Sequence, residues 1–323
     1  MNVRPLCALI LMSAAALAVG AAVAQEFPSR PVRLVVPFPP GGAVDILGRT
    51  LAPPLSRALG QNVIVDNRPG GNTVIGAEVV VRAPADGHTL LLMAPSFTIN
   101  PFVRSKLSYD PLKDFAGVTR LASTALVISV HPSLPARTLK QFIALAPARP
   151  GELTYATASI IGGQRIAGEM FKDAARIDIV NVPYGGGAPA TTAVIGGHTT
   201  MLVANVAEVA PHVASGKLRA LAVTSLARSG VLKDVPTVAE SGFPGFDSTN
   251  WFGAVARAAT PKNAIDRLSA EIARALQLPE VNDALSRLGL SAAAMSPGEF
   301  DAFLRAEMER NGKIIRALNL KVD

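Results

Sequence analysis

The sequence predicts an α/β protein built as two lobes that are joined by a hinge. Short apolar strands alternate with helical stretches along the chain, as they do in βαβ units. The first three strands end in loops rich in Gly, Pro, Ser and Asn, and such loops share one edge of a parallel sheet, where ligands bind. Two extended segments, Phe115–His131 and Asn250–Val255, carry the chain into a second lobe and back.

The N-terminus has the features of an export signal. Met1–Ala24 holds one arginine and an apolar run from Leu6 to Val23, and it ends in small residues. This pattern predicts a signal peptide cleaved after Ala24, and the alternative is an uncleaved membrane anchor. Because Cys7 is the single cysteine and leaves with the signal, the mature chain excludes disulfides and thiol chemistry.

Charge and composition argue against a nucleic-acid partner. The chain has 31 Lys and Arg against 24 Asp and Glu, but the basic residues are scattered and aromatic residues make up only 5%. The excess of positive charge favours a small anionic ligand. The alternative is a moderately basic, solvated surface.

The stretch from Leu34 to Arg49 predicts a strand, a tight turn and the start of a helix. Three prolines end the strand, Gly41 and Gly42 permit the turn, and Asp45 stands where a helix N-cap belongs. Such a turn leaves helix N–H groups without partners, which suits an anion. The alternative is an ordinary capped strand-to-helix turn, in which the Asp45 carboxylate caps its own helix.

The remaining elements follow from apolar periodicity and from turn residues. The predicted strands are Asn62–Asp66, Thr89–Met93, Leu153–Ala158, Asp178–Val182, Thr200–Ala204 and Leu218–Thr224. The predicted helices are Asp45–Leu59, which Pro53 and Pro54 should kink or interrupt, Thr73–Val81, Thr138–Ala146, stretches ending near Lys172 and Ile195, Lys262–Leu276, Pro279–Leu288 and Pro297–Leu318. The segment Ala94–Pro101 is predicted to be a loop.

The polar residues at the strand ends are suited to binding. They are hydroxyls, amides and glycines, which hydrogen-bond a ligand without activating water or a carbonyl. No metal-ligand spacing and no nucleophile motif is present in the sequence, so no cofactor, no metal and no enzyme activity is predicted. Arg165 could pair with a ligand carboxylate or lie solvated on its helix, and Tyr184 could close over a ligand or pack on its lobe.

Seven motifs in one order resemble the Bug family, the extracytoplasmic solute receptors of tripartite tricarboxylate transporters. They are PFPPGGAVD (37–45), NRPGG (67–71), ADGHTL (85–90), VPYGGGAP (182–189), LRALAVTS (218–225), DVPTVAE (234–240) and WFG (251–253). The resemblance covers the whole mature chain. It implies a type II periplasmic-binding-protein fold, with lobe I formed by residues 25–122 and 247–323 and lobe II by residues 123–246, and a ligand cleft between the lobes.

The resemblance also implies a function and a site. Family receptors bind small carboxylates through main-chain amides of the Pro-Gly-Gly loop, often with ordered water, and pass them to membrane subunits of the transporter. The chain would accordingly act in the periplasm as a monomer. The implied ligand-binding residues are Phe38, Pro39, Pro40, Gly41, Gly42, Ser96, Thr98, Asn100, Thr157, Ser159, Gly162, Gly163, Arg165, Tyr184, Gly185, Gly186 and Asn205.

Some residues depart from the family pattern. Arg165 stands where the family usually has histidine, and Ala193 and Thr200 stand where aspartates are common. These changes should alter ligand choice. Two other functions remain open: a ligand sensor that docks on a sensor kinase and, more remotely, a secreted enzyme on the same scaffold.

Overall fold

The computed structural model describes residues 27–146 and 152–320, so the predicted signal peptide lies outside the described residues. The strands are β1 (Val32–Val36), β2 (Val63–Asn67), β3 (Thr89–Met93), β4 (Phe115–Val130), β5 (Thr154–Thr157), β6 (Val180–Pro183), β7 (Met201–Asn205), β8 (Arg219–Val223), β9 (Thr249–Arg257) and β10 (Leu290–Ala292). The α-helices are α1 (Ala43–Leu59), α2 (Val74–Arg82), α3 (Ser96–Val103), α4 (Leu139–Leu145), α5 (Gly163–Ala175), α6 (Gly187–Ile195), α7 (Val206–Ala214), α8 (Lys262–Gln277), α9 (Pro279–Arg287) and α10 (Pro297–Ala317). None of these helices is long and apolar enough to cross a membrane.

The strands form one curled sheet with two parallel segments. The order is β2-β1-β3-β9-β4-β7-β5-β6, with β8 and β10 also paired to β4. Strand β1 is parallel to β2 and β3, and β5 is parallel to β6 and β7. The antiparallel strands β9 and β4 join the two segments. The chain therefore passes between the segments on β4 and β9, the two extended stretches predicted from the sequence.

The two halves of strand β4 contribute to two different hydrophobic cores. Val118 and Leu121 in its first half pack in a cluster with β1 and α1. Leu126 and Ile128 in its second half pack in a different cluster, with Phe171 of α5. One long strand thus runs through two separate cores, which is the arrangement of a two-lobed protein.

The observed fold departs from the expected local structure at three places. The predicted loop at 94–101 contains helix α3, because Phe97 and Ile99 bury their side chains in the core and outweigh the effect of Pro101. Helix α1 continues through Pro53 and Pro54 without interruption. The short strand β10, which pairs with β4, was not predicted.

Candidate functional site

Five of the described helices begin at one cavity. Its volume is about 40 Å³, and its wall includes Ala43 of α1, Ser96 of α3, Gly163 of α5, Gly187 of α6 and Glu208 of α7. Each helix N-terminus carries about half a positive charge and N–H groups without intrahelical acceptors. The helix N-termini therefore contribute positive potential to the cavity, and Glu208 is the one charged side chain among its described lining residues.

Glycines let the helices approach the cavity closely. A Cβ atom on Gly187 would lie 2.0 Å from Glu208 Oε1, and a Cβ atom on Gly163 would lie 2.7 Å from Asn250 Oδ1. Any other residue at these positions would force its neighbours to shift. The glycines at the predicted strand-end loops thus serve close packing of polar groups across the cavity.

The carboxylate of Glu208 lies at the centre of this arrangement. Its Oε1 accepts a hydrogen bond of 3.1 Å from the Ala43 N–H, at the first turn of α1. Its Oε2 accepts hydrogen bonds from the Asn205 N–H at 3.1 Å, from Asn205 Nδ2 at 3.0 Å and from Gln164 Nε2 at 3.3 Å. Glu208 therefore links the starts of α1, α5 and α7 and occupies an anion position itself.

The environment of Glu208 has opposing effects on its ionisation. Burial raises the pKa of the Glu208 carboxyl above its ordinary value, and the hydrogen bonds from Ala43, Asn205 and Gln164 oppose that rise. The residue is 9% exposed, and no basic side chain lines the cavity among the described residues. Amides and helix N-termini are thus the groups that favour its ionised form.

The Pro-Gly-Gly turn corrects the prediction for Asp45. The N-cap of α1 is Gly42, and Asp45 lies in the first turn, where its Oδ2 accepts a 2.9 Å hydrogen bond from the Gly41 N–H. Arg49 and Asn67 also donate to this carboxylate. Gly41, at φ = 85°, is in the left-handed region that favours glycine. The Gly41 amide therefore points at the protein's own carboxylate.

A second cavity lies beside the first and shares Phe38, Ala158 and Ser159 with it. Its volume is about 280 Å³, and Tyr184 and Thr73 also line it. The two cavities together form the cleft.

A strained segment borders this second cavity. Asn72 and Thr73 both have positive φ, an unusual conformation for a residue other than glycine. Asn72 Nδ2 donates to Ile161 O at 3.1 Å, which ties this segment to the loop after β5. Backbone strain of this kind clusters at functional sites.

The structure brings about half of the sequence-predicted residues to the cleft wall. Those that line one or both cavities are Phe38, Gly42, Ser96, Ser159, Gly162, Gly163, Tyr184, Gly185 and Asn205. Pro39, Pro40, Gly41 and Gly186 belong to the adjoining turns, and a Cβ atom on Gly186 would lie 2.9 Å from Pro39 Cδ.

Four predicted residues lie behind the wall. Thr98, Asn100 and Thr157 are fully buried, and their side chains bond Pro95 O, Asn72 O and Ser159 O respectively. Arg165 Nη1 donates to Ile160 O at 2.8 Å, and its Nε lies 3.7 Å from Glu169 Oε1. These side chains support the loops that form the cleft.

Sequence reasoning missed three polar residues of the first cavity: Glu208, Gln164 and Asn250. Glu208 follows Asn205 by three residues, the spacing of a capping box, and this signal marks the start of α7. It does not reveal that the same carboxylate reaches α1. Asn250 lies in β9, and its amide has no sequence signature.

Comparisons with known proteins agree with this geometry. Residues 47–320 match the sequence model of the tripartite tricarboxylate transporter family receptor. Protein BugT of Bordetella pertussis is 34% identical over 325 residues, covering 100% of both chains. The matched residues therefore cover most of the chain.

Solved structures show the same fold. R. palustris Rpa4515 with adipate has a TM-score of 0.89 and 32% identity, over 92% of this chain and 99% of that one. MatC from Rhodopseudomonas palustris with bound malate has a TM-score of 0.84 and 27% identity, over 90% and 100%. The predicted two-lobed fold of periplasmic binding proteins such as BugD is confirmed. The chain belongs to the receptor family of the tripartite tricarboxylate transporters.

Proposed function

We propose that this chain captures a small organic carboxylate in the periplasm and delivers it to a tripartite tricarboxylate transporter in the inner membrane. Membership of the receptor family and the adipate and malate of two similar proteins support this proposal. The observation that carries it is the convergence of five helix N-termini on one cavity. Amides and dipoles arranged in this way bind an anion without a basic side chain.

In this proposal the ligand contacts both lobes. Lobe I would comprise residues 25–122 and 247–323, and lobe II residues 123–246, so that β4 and β9 form the two crossovers. N–H groups at the starts of α1 and α5 would bind the carboxylate, with hydroxyls of Ser96 and Ser159 beside them. The ligand would stabilise the closed arrangement by binding it more tightly than the open one.

The proposal assigns binding and no catalysis to the cleft. Ser96 Oγ is 3.3 Å from Thr73 Oγ1, and Ser159 Oγ donates to Ile161 O at 3.1 Å. Neither serine has a histidine beside it among the described lining residues. A nucleophile needs such a base for activation.

In the cell, the protein would act as a processed, periplasmic monomer. Cleavage after Ala24 would release the mature receptor into the periplasm. One receptor would bind one ligand as a monomer and dock transiently on the membrane subunits.

A thermal-shift screen tests the proposal. Residues 25–323 are unfolded and refolded to remove carried-over ligand, then mixed with mono-, di- and tricarboxylates, acidic amino acids, aromatic acids and neutral sugars. A ligand at about 100 times its Kd adds about 2.7 kcal/mol, which raises the Tm by a few degrees. We expect a shift with one class of acid. A response to neutral compounds alone would contradict an anion receptor.

A further inference from the structure

The carboxylate of Glu208 orients a chain of buried side-chain amides. Asn205 Nδ2 donates to Glu208 Oε2 at 3.0 Å, and Asn250 Nδ2 donates to Asn205 Oδ1 at 2.8 Å. On the other side, Gln164 Nε2 donates to Glu208 Oε2, while Gln164 Oε1 accepts from the Ala158 N–H at 2.6 Å. Every amide therefore has its NH2 group on the side of Glu208.

The orientation of this chain follows from the charge at its end. If the Asn205 amide were reversed, its oxygen would face the Glu208 carboxylate, and two acceptors would be in contact. Asn250 must then give its NH2 group to Asn205 Oδ1. Because both oxygens of Glu208 accept hydrogen bonds, this residue determines which atom Asn250 presents on its opposite side.

That atom is the Asn250 side-chain oxygen. Asn250 is 4% exposed and lines the cavity, and its Oδ1 accepts no hydrogen bond from the described residues. The oxygen lies against Gly163, where a Cβ atom would be only 2.7 Å away. A buried carbonyl without a donor is unfavourable, so its presence in a ligand cleft indicates a donor on the ligand.

Glu208 also limits the charge that the cavity accepts. Its carboxylate already takes the Ala43 amide and lies at the starts of α6 and α7. A second carboxylate placed next to it would be repelled, with no basic side chain in the described lining to compensate. The remaining first-turn amides of α1 and α5 suit one ligand carboxylate.

We propose, on the basis of the receptor function proposed above, that the cleft selects a small monocarboxylate with a hydrogen-bond donor, a hydroxyl or an ammonium group. Asn250 Oδ1 accepts this donor, and Glu208 excludes unsubstituted dicarboxylates. Glu208 and Asn250 are then the residues that determine specificity.

The experiment uses calorimetric titration of refolded residues 25–323 at neutral pH. The probes are adipate, the ω-hydroxy acid in which one adipate carboxylate is replaced by a hydroxymethyl group, and hexanoate. A second series has the shorter carbon chain of succinate: succinate itself, its ω-hydroxy acid and its plain monocarboxylic acid. The two series allow for the size of the cavity. We expect the hydroxy acid of one series to bind at least about tenfold more tightly than both its dicarboxylate and its plain acid.

Two variants separate the roles of the two residues. In Glu208→Gln, the negative charge that repels a second carboxylate is removed, while the new side-chain oxygen can still accept the hydrogen bonds from the Asn205 N–H and Asn205 Nδ2. The preference for the hydroxy acid over the dicarboxylate should then fall by about tenfold or more. In Asn250→Ala, the hydroxy acid should lose its advantage over the plain acid.

The matched control is Glu309→Gln, which changes an exposed glutamate on α10. It should change neither the preference over the dicarboxylate nor the preference over the plain acid.

If the unmodified protein bound the dicarboxylate and the hydroxy acid with equal affinity, the proposed selectivity would be wrong. The receptor function would still stand, because both acids bind. An unchanged ratio in Glu208→Gln would overturn the role of Glu208. If no carboxylate in the thermal-shift screen bound, both the proposed receptor function and the proposed selectivity would be wrong.

Discussion

The Ala43 N–H donates a 3.1 Å hydrogen bond to Glu208 Oε1, which joins two residues 165 positions apart in the chain. Ala43 begins the helix that follows the first strand, and Glu208 lies in the first turn of α7. The contact fills an anion position of the cleft with a side chain of the protein. Stability, pH dependence and ligand choice should therefore all respond to changes at Glu208.

The close contact between Gly187 and Glu208 predicts that a larger residue at position 187 destabilises the protein. In Gly187→Ala the new Cβ would lie 2.0 Å from Oε1, so the carboxylate or helix α6 must shift. We expect a loss of about 1–3 kcal/mol in the free energy of unfolding, measured by urea denaturation. Gly185→Ala is the control, because no atom lies within 4 Å of the place its new methyl group would take and its φ is not positive. Equal stability of the two variants would show that Glu208 is not tightly packed.

The raised pKa of Glu208 predicts a pH-dependent stability. The folded protein binds this proton more tightly than the unfolded chain, so the stabilisation is complete below the unfolded pKa of about 4.3 and is lost as the pH rises through the folded pKa. The stability of the wild type relative to Glu208→Gln should therefore increase from neutral pH towards pH 5. A difference that stays constant over this range would contradict the burial of an ionisable group at this position.

Asp45 should show the opposite dependence. Burial opposes its ionisation, but hydrogen bonds from Arg49, Gly41 and Asn67 outweigh that effect and hold the pKa of Asp45 below its ordinary value. Its contribution is present above the unfolded pKa of about 3.9 and is lost as the pH falls through the folded pKa. Asp45→Asn should cost about 2 kcal/mol at neutral pH and less in acid.

The control for Asp45 is the same substitution at an exposed site. Asp266 pairs with Lys262 on the surface of α8, and Asp266→Asn should change stability by less than about 0.5 kcal/mol. If both variants lose the same amount, the buried contacts of Asp45 do not stabilise the turn.

The sequence predicted the scaffold better than the side chains that complete the site. The strand-end loops were recognisable because Gly and Pro at 37–42 and 183–187 leave few other conformations. Glu208 was not recognisable, because its function depends on a contact with α1 that only the assembled sheet creates. Asp45 was placed at the N-cap from its residue type, whereas Gly42 takes that position and Asp45 bonds the preceding amide.

Arg165 illustrates the same limit and makes a further prediction. Its guanidinium holds Ile160 O and lies near Glu169, behind the cleft wall. Arg165→Ala should therefore lower the affinities for mono- and dicarboxylates by similar factors, because it loosens the loop after β5 and removes no contact with the ligand. A selective loss of dicarboxylate affinity in equilibrium titrations would show that Arg165 contacts the ligand directly.

In the proposed function, amides and helix N-termini of the cleft bind the carboxylate of the ligand. The most direct measurement compares the acid that gives the largest thermal shift with its primary amide, which has nearly the same shape and no charge, by calorimetric titration of refolded residues 25–323. We expect the amide to bind at least about tenfold more weakly than the acid. Equal affinities would contradict it, because the cleft would then recognise shape and not an anion.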